Sequence, residues 1–241
     1  MTAAVAALLL VISGTEPPKS EKADPAKPAS AREALKPFNV LVGSWKGTGY
    51  PEGTREERAA GMWTETITWG WQFNNDDAWL IATFDKGKHF SSAELRYSME
   101  KATYQLTLTA PDKTKLTFSG KLTDKDKVLT LDRAGGPAGE EQRLVFSLLH
   151  FNRHLYRFET RPAGSPLAFT KLWQVGATKE GVPFADVPKG PECVVSGGLG
   201  TMKVTYMGKE YYVCCSGCRD AFKENPEKWI KEFEARAKEK K

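Results

Sequence analysis

The sequence has 241 residues, with 35 Lys and Arg against 30 Asp and Glu, and a formal net charge of +5. Hydrophobic residues make up 40% and charged residues 27%, which is ordinary for a globular protein, and the length allows one medium domain and one small one. Basic and acidic residues are interspersed, and no basic run carries interleaved aromatic residues. This distribution argues against nucleic acid as a partner.

The first 32 residues are predicted to lie outside the folded domains. Residues 1–14 contain an apolar run that is too short to span a bilayer but suits the core of a signal peptide, although no Lys or Arg precedes it. Residues 15–32 are rich in Pro, Lys, Glu and Ala, which is typical of a disordered linker. We therefore expect an exported protein, periplasmic or extracellular, without an integral membrane span; a cytoplasmic location is the alternative.

Residues 33–180 carry the pattern of an all-β domain. A short helix over residues 33–42, broken by Pro37, is followed by many short runs with two-residue alternation and polar turns between them. Evenly spaced strands without a long helix predict an antiparallel barrel or sandwich. The predicted strands are 63–71, 78–84, 91–98, 104–109, 115–118, 128–131, 143–149, 155–160 and 169–175.

A glycine-flanked tryptophan, Trp45, opens this domain in the sequence Gly-Ser-Trp-Lys-Gly-Thr-Gly. The motif resembles the start of calycin barrels, the lipocalin-like and nitrobindin-like domains. The resemblance implies a calycin-like β-barrel in which Trp45 closes the base, a packing role. In the strand at 63–71, Trp63, Ile67, Trp69 and Trp71 share one face with Glu65, and the threonines share the other.

A barrel of this size either encloses one small ligand or fills itself with side chains. The seven tryptophans and twelve phenylalanines of the chain favour a filled interior, and a small apolar ligand stays an alternative. Haem, the ligand of nitrobindin relatives, needs an axial residue such as histidine. His89 is expected in an exposed turn, and His150 and His154 are expected to form a surface pair across a hairpin. Haem is therefore not predicted.

No catalytic motif stands out in the sequence. A Gly-x-Ser-x-Gly elbow, a P-loop and a dinucleotide-binding fingerprint are all missing. Acidic pairs such as Asp76 and Asp77 lie in polar turns, where solvated charge is the ordinary explanation. A Cys–His dyad would have to join two domains, because no histidine follows His154. We therefore predict a binding protein and not an enzyme.

The C-terminal part of the chain is predicted to be a separate small module. Gly and Pro residues mark a linker at residues 181–190. Residues 191–235 hold all four cysteines together with strand-like and helix-like stretches, which predicts an α+β Cys-rich module. Residues 236–241 form a charged tail.

A hairpin within the module is predicted to gather the cysteines. Two strand-like runs, 202–206 and 210–213, follow a Gly-rich turn and are joined by a short turn of their own. This hairpin folds Cys193 back towards Cys214 and Cys218. Clustered thiols of this kind are what a soft metal ion requires.

The spacing of the cysteines also predicts which of them converge. Cys214 and Cys215 point to opposite faces of an extended strand. A helix that starts near Ser216 places Cys218 in its first turn, where it can meet Cys214 and Cys193. Cys215 would point away, or contribute only if the chain twists. The predicted ligands are the thiolates of Cys193, Cys214 and Cys218, with Cys215 as auxiliary and the fourth ligand open.

A Tyr-rich strand, a Cys-x3-Cys pair, a Phe four residues later and a Pro-Glu-Lys-aromatic helix follow one another in this region. These residues are Tyr211, Tyr212, Cys214, Cys218, Phe222 and 226–229. The series resembles the TRASH/YHS family of metal-binding modules over roughly residues 190–233. The resemblance implies heavy-metal sensing or trafficking, or a structural zinc. Ser196 stands where some relatives have a second cysteine, which favours three thiolates with an open or borrowed fourth position.

The chemistry of the thiols leaves alternatives open. Soft thiolates select zinc or Cu(I), and the sequence does not separate the two. An even number of cysteines in an exported chain also fits a disulfide from Cys193 to Cys214 or Cys218, but we favour metal. The predicted function is an exported protein that binds zinc or copper through its C-terminal module. The alternative is a lipocalin-like carrier of a small apolar ligand, with a structural cysteine module.

Overall fold

The computed structural model describes residues 28–123, 125, 127–182 and 189–239. Ten antiparallel strands form a closed barrel in which each strand pairs with the next along the chain and the last pairs with the first. This mainly β architecture confirms the predicted antiparallel barrel. The strands are β1 (Gly43–Pro51), β2 (Trp63–Asn74), β3 (Asp77–Asp85), β4 (Ser92–Ser98), β5 (Thr103–Thr109), β6 (Lys115–Thr123), β7 (Val128–Arg133), β8 (Glu141–His150), β9 (Arg153–Arg161) and β10 (Thr170–Lys179).

A small α+β module follows the barrel, as predicted. Its two strands form an antiparallel hairpin, and its two helices follow directly in the chain. The elements are β11 (Met202–Tyr206), β12 (Lys209–Val213), α3 (Ser216–Glu224) and α4 (Pro226–Glu239). Because α4 continues to Glu239, it includes most of the residues predicted as a charged tail.

Part of the sequence prediction concerns residues that the structure does not describe. The predicted signal peptide (1–14), residues 15–27 of the first linker and residues 183–188 of the second lie outside the described residues. The last residues of the first linker begin a short helix, α1 (Ala31–Leu35), which is capped by Ser30. Among the helices that are described, none is long and apolar enough to cross a membrane.

The base of the barrel is closed by α1, a 3-10 helix (Lys36–Leu41) and Trp45. The Trp45 side chain is fully buried, and its Nε1 donates to the Leu41 carbonyl oxygen at 2.7 Å. The helix predicted over residues 33–42 is broken near Pro37, as expected: the chain changes from α to 3-10 geometry just before this residue, which lacks the N–H that an α-helix needs. Trp45 therefore has the packing role that the calycin resemblance implies.

Every second residue of β2 points into the barrel. Glu65, Ile67, Trp69 and Trp71 are each at most 5% exposed, whereas the threonines between them face outward. The buried carboxylate of Glu65 accepts a hydrogen bond from the Tyr156 hydroxyl, and burial raises the pKa of this carboxyl group. The strand therefore has the two faces that its sequence predicts.

The centre of the barrel is filled with side chains. The space that remains there is too narrow to admit a water molecule. Its lining residues are Phe38, Leu41, Trp69, Leu95, Leu106, Leu129 and Phe146. This packing gives no support to the alternative of a small apolar ligand held at the barrel centre.

The predicted surface pair of histidines is wrong. A β-bulge between Leu148 and His150 shifts the register of β8 against β9 and pairs Leu148 with His154. The His154 ring therefore points inward; it is 1% exposed and lies 4.4 Å from the Trp45 ring, centroid to centroid. His150 instead bonds to Asn152 at 2.8 Å. Burial and the nearby Lys179 lower the pKa of His154 to about 3.

Two elements lie outside the sequence prediction. β1 was recognised only as a glycine motif; the Trp63 ring occupies the place of a side chain at Gly49, so glycine is required there. A six-residue helix, α2 (Arg55–Ala60), begins at a capping box formed by Thr54 and Glu57. This helix is too short to show an apolar period, and it has no buried residue.

Candidate metal centre

The loop before β11 brings Cys193 to the hairpin. The Val194 N–H donates to the Tyr212 carbonyl at 2.8 Å, which fixes the loop alongside β12. Within the loop, the Cys193 N–H donates to the Gly198 carbonyl at 2.7 Å, and the Gly197 N–H donates back to the Cys193 carbonyl at 3.0 Å. Gly197 has φ +77°, a backbone conformation that glycine adopts without strain. The turn therefore directs the Cys193 sulfur towards the end of β12.

The junction of β12 and α3 supplies the other cysteines. Cys215 is extended (φ −157°) and occupies the N-cap position of α3, so the helix starts at Ser216 as predicted. Cys218 lies in the first turn of this helix. Its Sγ is 3.4 Å from the Sγ of Cys214. The change of chain direction between β12 and α3 thus brings the thiols of Cys214 and Cys218 next to each other.

Three sulfurs form one compact cluster. The Sγ atoms of Cys193, Cys214 and Cys218 all lie within 4.8 Å of one another. Cys193 and Cys218 are fully buried, and Cys214 is half-buried. A tetrahedral ion with Zn–S bonds of about 2.3 Å separates its sulfurs by roughly 3.8 Å, so the cluster needs only small shifts to close on a metal. All four cysteines are free thiols, and the donor set fits a soft ion.

Cys215 lies beside this cluster but faces the barrel. Its Sγ is 3.9 Å from the Cys214 Sγ and accepts a hydrogen bond from the backbone N–H of Trp71 at 3.3 Å. It is not a member of the group of three. The structure therefore separates Cys215 from the other three, and its auxiliary role stays a prediction.

Ser196 is the polar residue of the cluster that the sequence identified only as a departure from the Cys-x2-Cys pattern. It is 1% exposed. Its backbone N–H donates to Cys193 Sγ at 3.4 Å, and its Oγ lies 3.3 Å from Cys214 Sγ. The Gly198 N–H donates to the same Oγ at 3.3 Å. Ser196 thus contacts two of the three sulfurs.

The thiols differ in how readily they lose a proton. Hydrogen bonds from Cys214 and Cys218 lower the pKa of the Cys193 thiol, whereas burial raises the pKa of Cys218. Hydrogen bonding to Cys214 also lowers the pKa of Cys215. A neighbouring thiol that donates a hydrogen bond favours the thiolate, which is the form that binds a metal. Cys193 therefore loses its proton more readily than Cys218 does, so the cluster can contain a thiolate while other thiols are still protonated.

A lysine of the barrel lies within electrostatic reach of the cluster. Burial lowers the pKa of Lys179 to about 8, and the charge of Cys214 opposes this shift. The Lys179 ammonium donates to the Val40 carbonyl at 3.0 Å and lies 5.2 Å from the centroid of the Trp45 ring. Because its charge interacts with that of Cys214, this cation can offset part of the negative charge of bound thiolates.

The module packs directly on the barrel. Buried residues of the two parts form one continuous hydrophobic cluster. Phe73 of β2 contacts Trp229 of α4, with ring centroids 5.6 Å apart. Lys228 of α4 pairs with Asp76 in the β2–β3 turn at 2.8 Å. Sulfur cluster and barrel are therefore parts of one packed structure.

Residues 200–232 match the family model of the YHS domain. The match includes Cys214, Cys215 and Cys218, and Cys193 lies outside it. Together with the closed ten-stranded barrel, it confirms the predicted arrangement of a calycin-like barrel and a C-terminal YHS module. A buried cysteine cluster in such a module suggests metal binding.

Among solved structures, the chain is similar to Rv2717c from M. tuberculosis, known from a crystal structure. The sequence identity is 15%, the TM-score is 0.38, and the similarity covers 61% of this chain and 97% of the other. A comparison with curated proteins gave no match.

Proposed function

We propose that this chain is an exported metal-binding protein that holds zinc or Cu(I) through the thiolates of its C-terminal module. Cys193, Cys214 and Cys218 are the ligands, and Cys215 is auxiliary. The observation that carries the proposal is the meeting of three sulfurs within 4.8 Å in a buried site. Three soft donors at that spacing match zinc or Cu(I) far better than a hard, oxygen-preferring ion.

The proposed role is heavy-metal binding, sensing or trafficking, or a structural zinc, and it involves no catalysis. Export rests on the apolar N-terminal run of the sequence. The choice of a binding role rests on the absence of catalytic motifs from the sequence and on the match to the YHS domain. Since every ligand thiol must lose its proton, the apparent metal affinity is expected to fall on acidification.

Elemental analysis of the purified protein tests the proposal. The protein is prepared under anaerobic conditions without added reductant, and metal per chain is measured together with free thiols. We expect about one zinc or copper per chain in the wild type. Cys218→Ser should lose stoichiometric metal, because it removes one of three ligands. Cys215→Ser is the matched control and should keep the stoichiometry, because the group of three remains intact.

Two results would contradict the proposal. One-to-one binding retained by Cys218→Ser would exclude this cluster as the site. A wild-type protein without metal, whose thiols stay blocked until a reductant is added under denaturing conditions, would establish the disulfide alternative.

A further inference from the structure

The sulfur cluster is held from the barrel side as well as from its own module. Strand β2 extends past the end of β1, since its last pairing with β1 joins Trp69 to Gly43. Two residues further on, the backbone N–H of Trp71 donates to Cys215 Sγ at 3.3 Å. Gly217 approaches the Trp71 carbonyl so closely that a Cβ at this position would lie 1.7 Å from the oxygen. The first turn of α3 thus sits on the free edge of β2.

A second connection from β2 to the cluster runs through Asn39. The indole Nε1 of Trp71 donates to Asn39 Oδ1 at 2.9 Å, and Asn39 Nδ2 donates to the Ser196 carbonyl at 3.2 Å. Ser196 contacts the sulfurs of Cys193 and Cys214. A thiolate bound to metal can only accept a hydrogen bond, so the Ser196 hydroxyl donates to Cys214 in the metal-bound state. One tryptophan side chain is therefore linked to two sulfurs through two polar residues.

We infer that Asn39 and Trp71 are positioning residues of the metal site. Asn39 fixes the backbone of Ser196, and Trp71 fixes both Asn39 and Cys215; Ser196 then orients the ligand sulfurs. The inference rests on the proposed metal-binding function and extends the site to the barrel. Hydrogen bonds from neighbouring residues to metal ligands set the orientation of those ligands, and removing such a hydrogen bond typically lowers metal affinity about 10–100-fold. Trp71 and Ser196 are at most 1% exposed, so water does not readily replace a lost bond.

Strand β2 offers a matched pair of variants for testing this inference. Trp69 and Trp71 are both buried and both point into the barrel, and within the described residues Trp69 Nε1 has no hydrogen-bond partner. Trp71→Phe and Trp69→Phe therefore remove similar volumes, but only the first removes a link to the cluster. Asn39→Leu removes the same link at a half-buried position and leaves both tryptophans in place.

Co²⁺ is the probe, because its charge-transfer absorption reports bound thiolates and its ligand-field bands report their geometry. Affinity is measured by competition with a chromophoric chelator in the full-length reduced protein, and the thermal midpoint of the metal-free protein serves as the folding control. Trp71→Phe and Asn39→Leu are expected to lower Co²⁺ affinity about tenfold and to shift the ligand-field bands. Trp69→Phe should leave the affinity and the spectrum close to those of the wild type.

The outcomes separate this inference from the proposed function. Equal affinities and spectra for Trp71→Phe and Trp69→Phe would overturn the positioning role and leave metal binding intact. If Trp71→Phe does not fold, Asn39→Leu decides, and an unchanged affinity and spectrum in that variant would overturn the role. A wild-type protein that binds none of Co²⁺, Zn²⁺ and Cu(I) would overturn the proposed function and this inference together.

Discussion

Gly217→Ala tests how the module is seated on the barrel. Gly217 lies in the first turn of α3, where alanine normally stabilises a helix by about 0.5–1 kcal/mol. Here the added Cβ would lie 1.7 Å from the Trp71 carbonyl oxygen and 2.7 Å from its carbon. Because real Cβ atoms essentially never approach within 3.0 Å, α3 must move away from β2 by at least about 1.3 Å.

This displacement sets the size of the expected loss. It lengthens the contact from Trp71 N to Cys215 Sγ, now 3.3 Å, beyond hydrogen-bonding distance and loosens the packing beside it. Overpacking against a backbone costs about 1–3 kcal/mol, and the lost hydrogen bond about 1 kcal/mol. After the gain in helix propensity is subtracted, we expect Gly217→Ala to lower the free energy of unfolding by about 1–3.5 kcal/mol.

The assay is urea denaturation of the reduced, metal-free protein, followed by tryptophan fluorescence. Gly70→Ala is the matched control, because Gly70 lies on the β2 side of the same contact and its added Cβ would be 3.9 Å from Cys215, an ordinary distance. This control should change the stability by less than about 1 kcal/mol. A Gly217→Ala variant as stable as the wild type would refute the close seating of α3 on β2.

Two further predictions concern charged and titratable groups. His154 has a pKa of about 3 in the folded protein against 6.5 when unfolded, so only the unfolded state gains its proton below pH 6.5. His154 therefore lowers the unfolding free energy by up to about 1.4 kcal/mol for each pH unit between 6.5 and about 3. Denaturation at several pH values should show that His154→Leu removes this contribution to the pH dependence of stability. Lys179→Met should weaken Zn²⁺ binding several-fold in chelator competition, whereas Lys179→Arg should not, because three thiolates around one Zn²⁺ leave a net negative charge that the cation at this position balances. A Lys179→Met variant with the same Zn²⁺ affinity as the wild type would contradict this role.

The local geometry of the cluster could be predicted from the sequence. Alternation along β12 and a helix start at Ser216 are short-range features, and they suffice to bring Cys218 beside Cys214. The glycine turn that returns Cys193 is also a short-range signal. Trp45 at the barrel base follows from a recognisable motif. These predictions depend on segments of a few residues whose conformation is set by their own composition.

The contributions of the barrel to the site could not be predicted in this way. Asn39 bonds to a residue 157 positions away in the chain, and Trp71 bonds to one 144 positions away. No periodicity or spacing encodes such contacts, because they depend on how α3 docks on β2. His154 was predicted on the surface for a related reason. The single bulge between Leu148 and His150 changes which residues of the strand pair face inward, and the sequence of the turn contains no signal that predicts this bulge.

The packing of the module bears on the role of a bound metal. A module of this size in isolation needs a staple, which is the usual argument for a structural zinc. Here Arg32 of α1 pairs with Glu232 of α4 at 2.5 Å, and Arg236 donates to the Val194 carbonyl at 2.9 Å. The buried core of the module is also continuous with that of the barrel. A core shared with the barrel weakens the argument that the module needs an ion because of its size. Module size therefore does not by itself choose between a structural zinc and a metal held for another purpose.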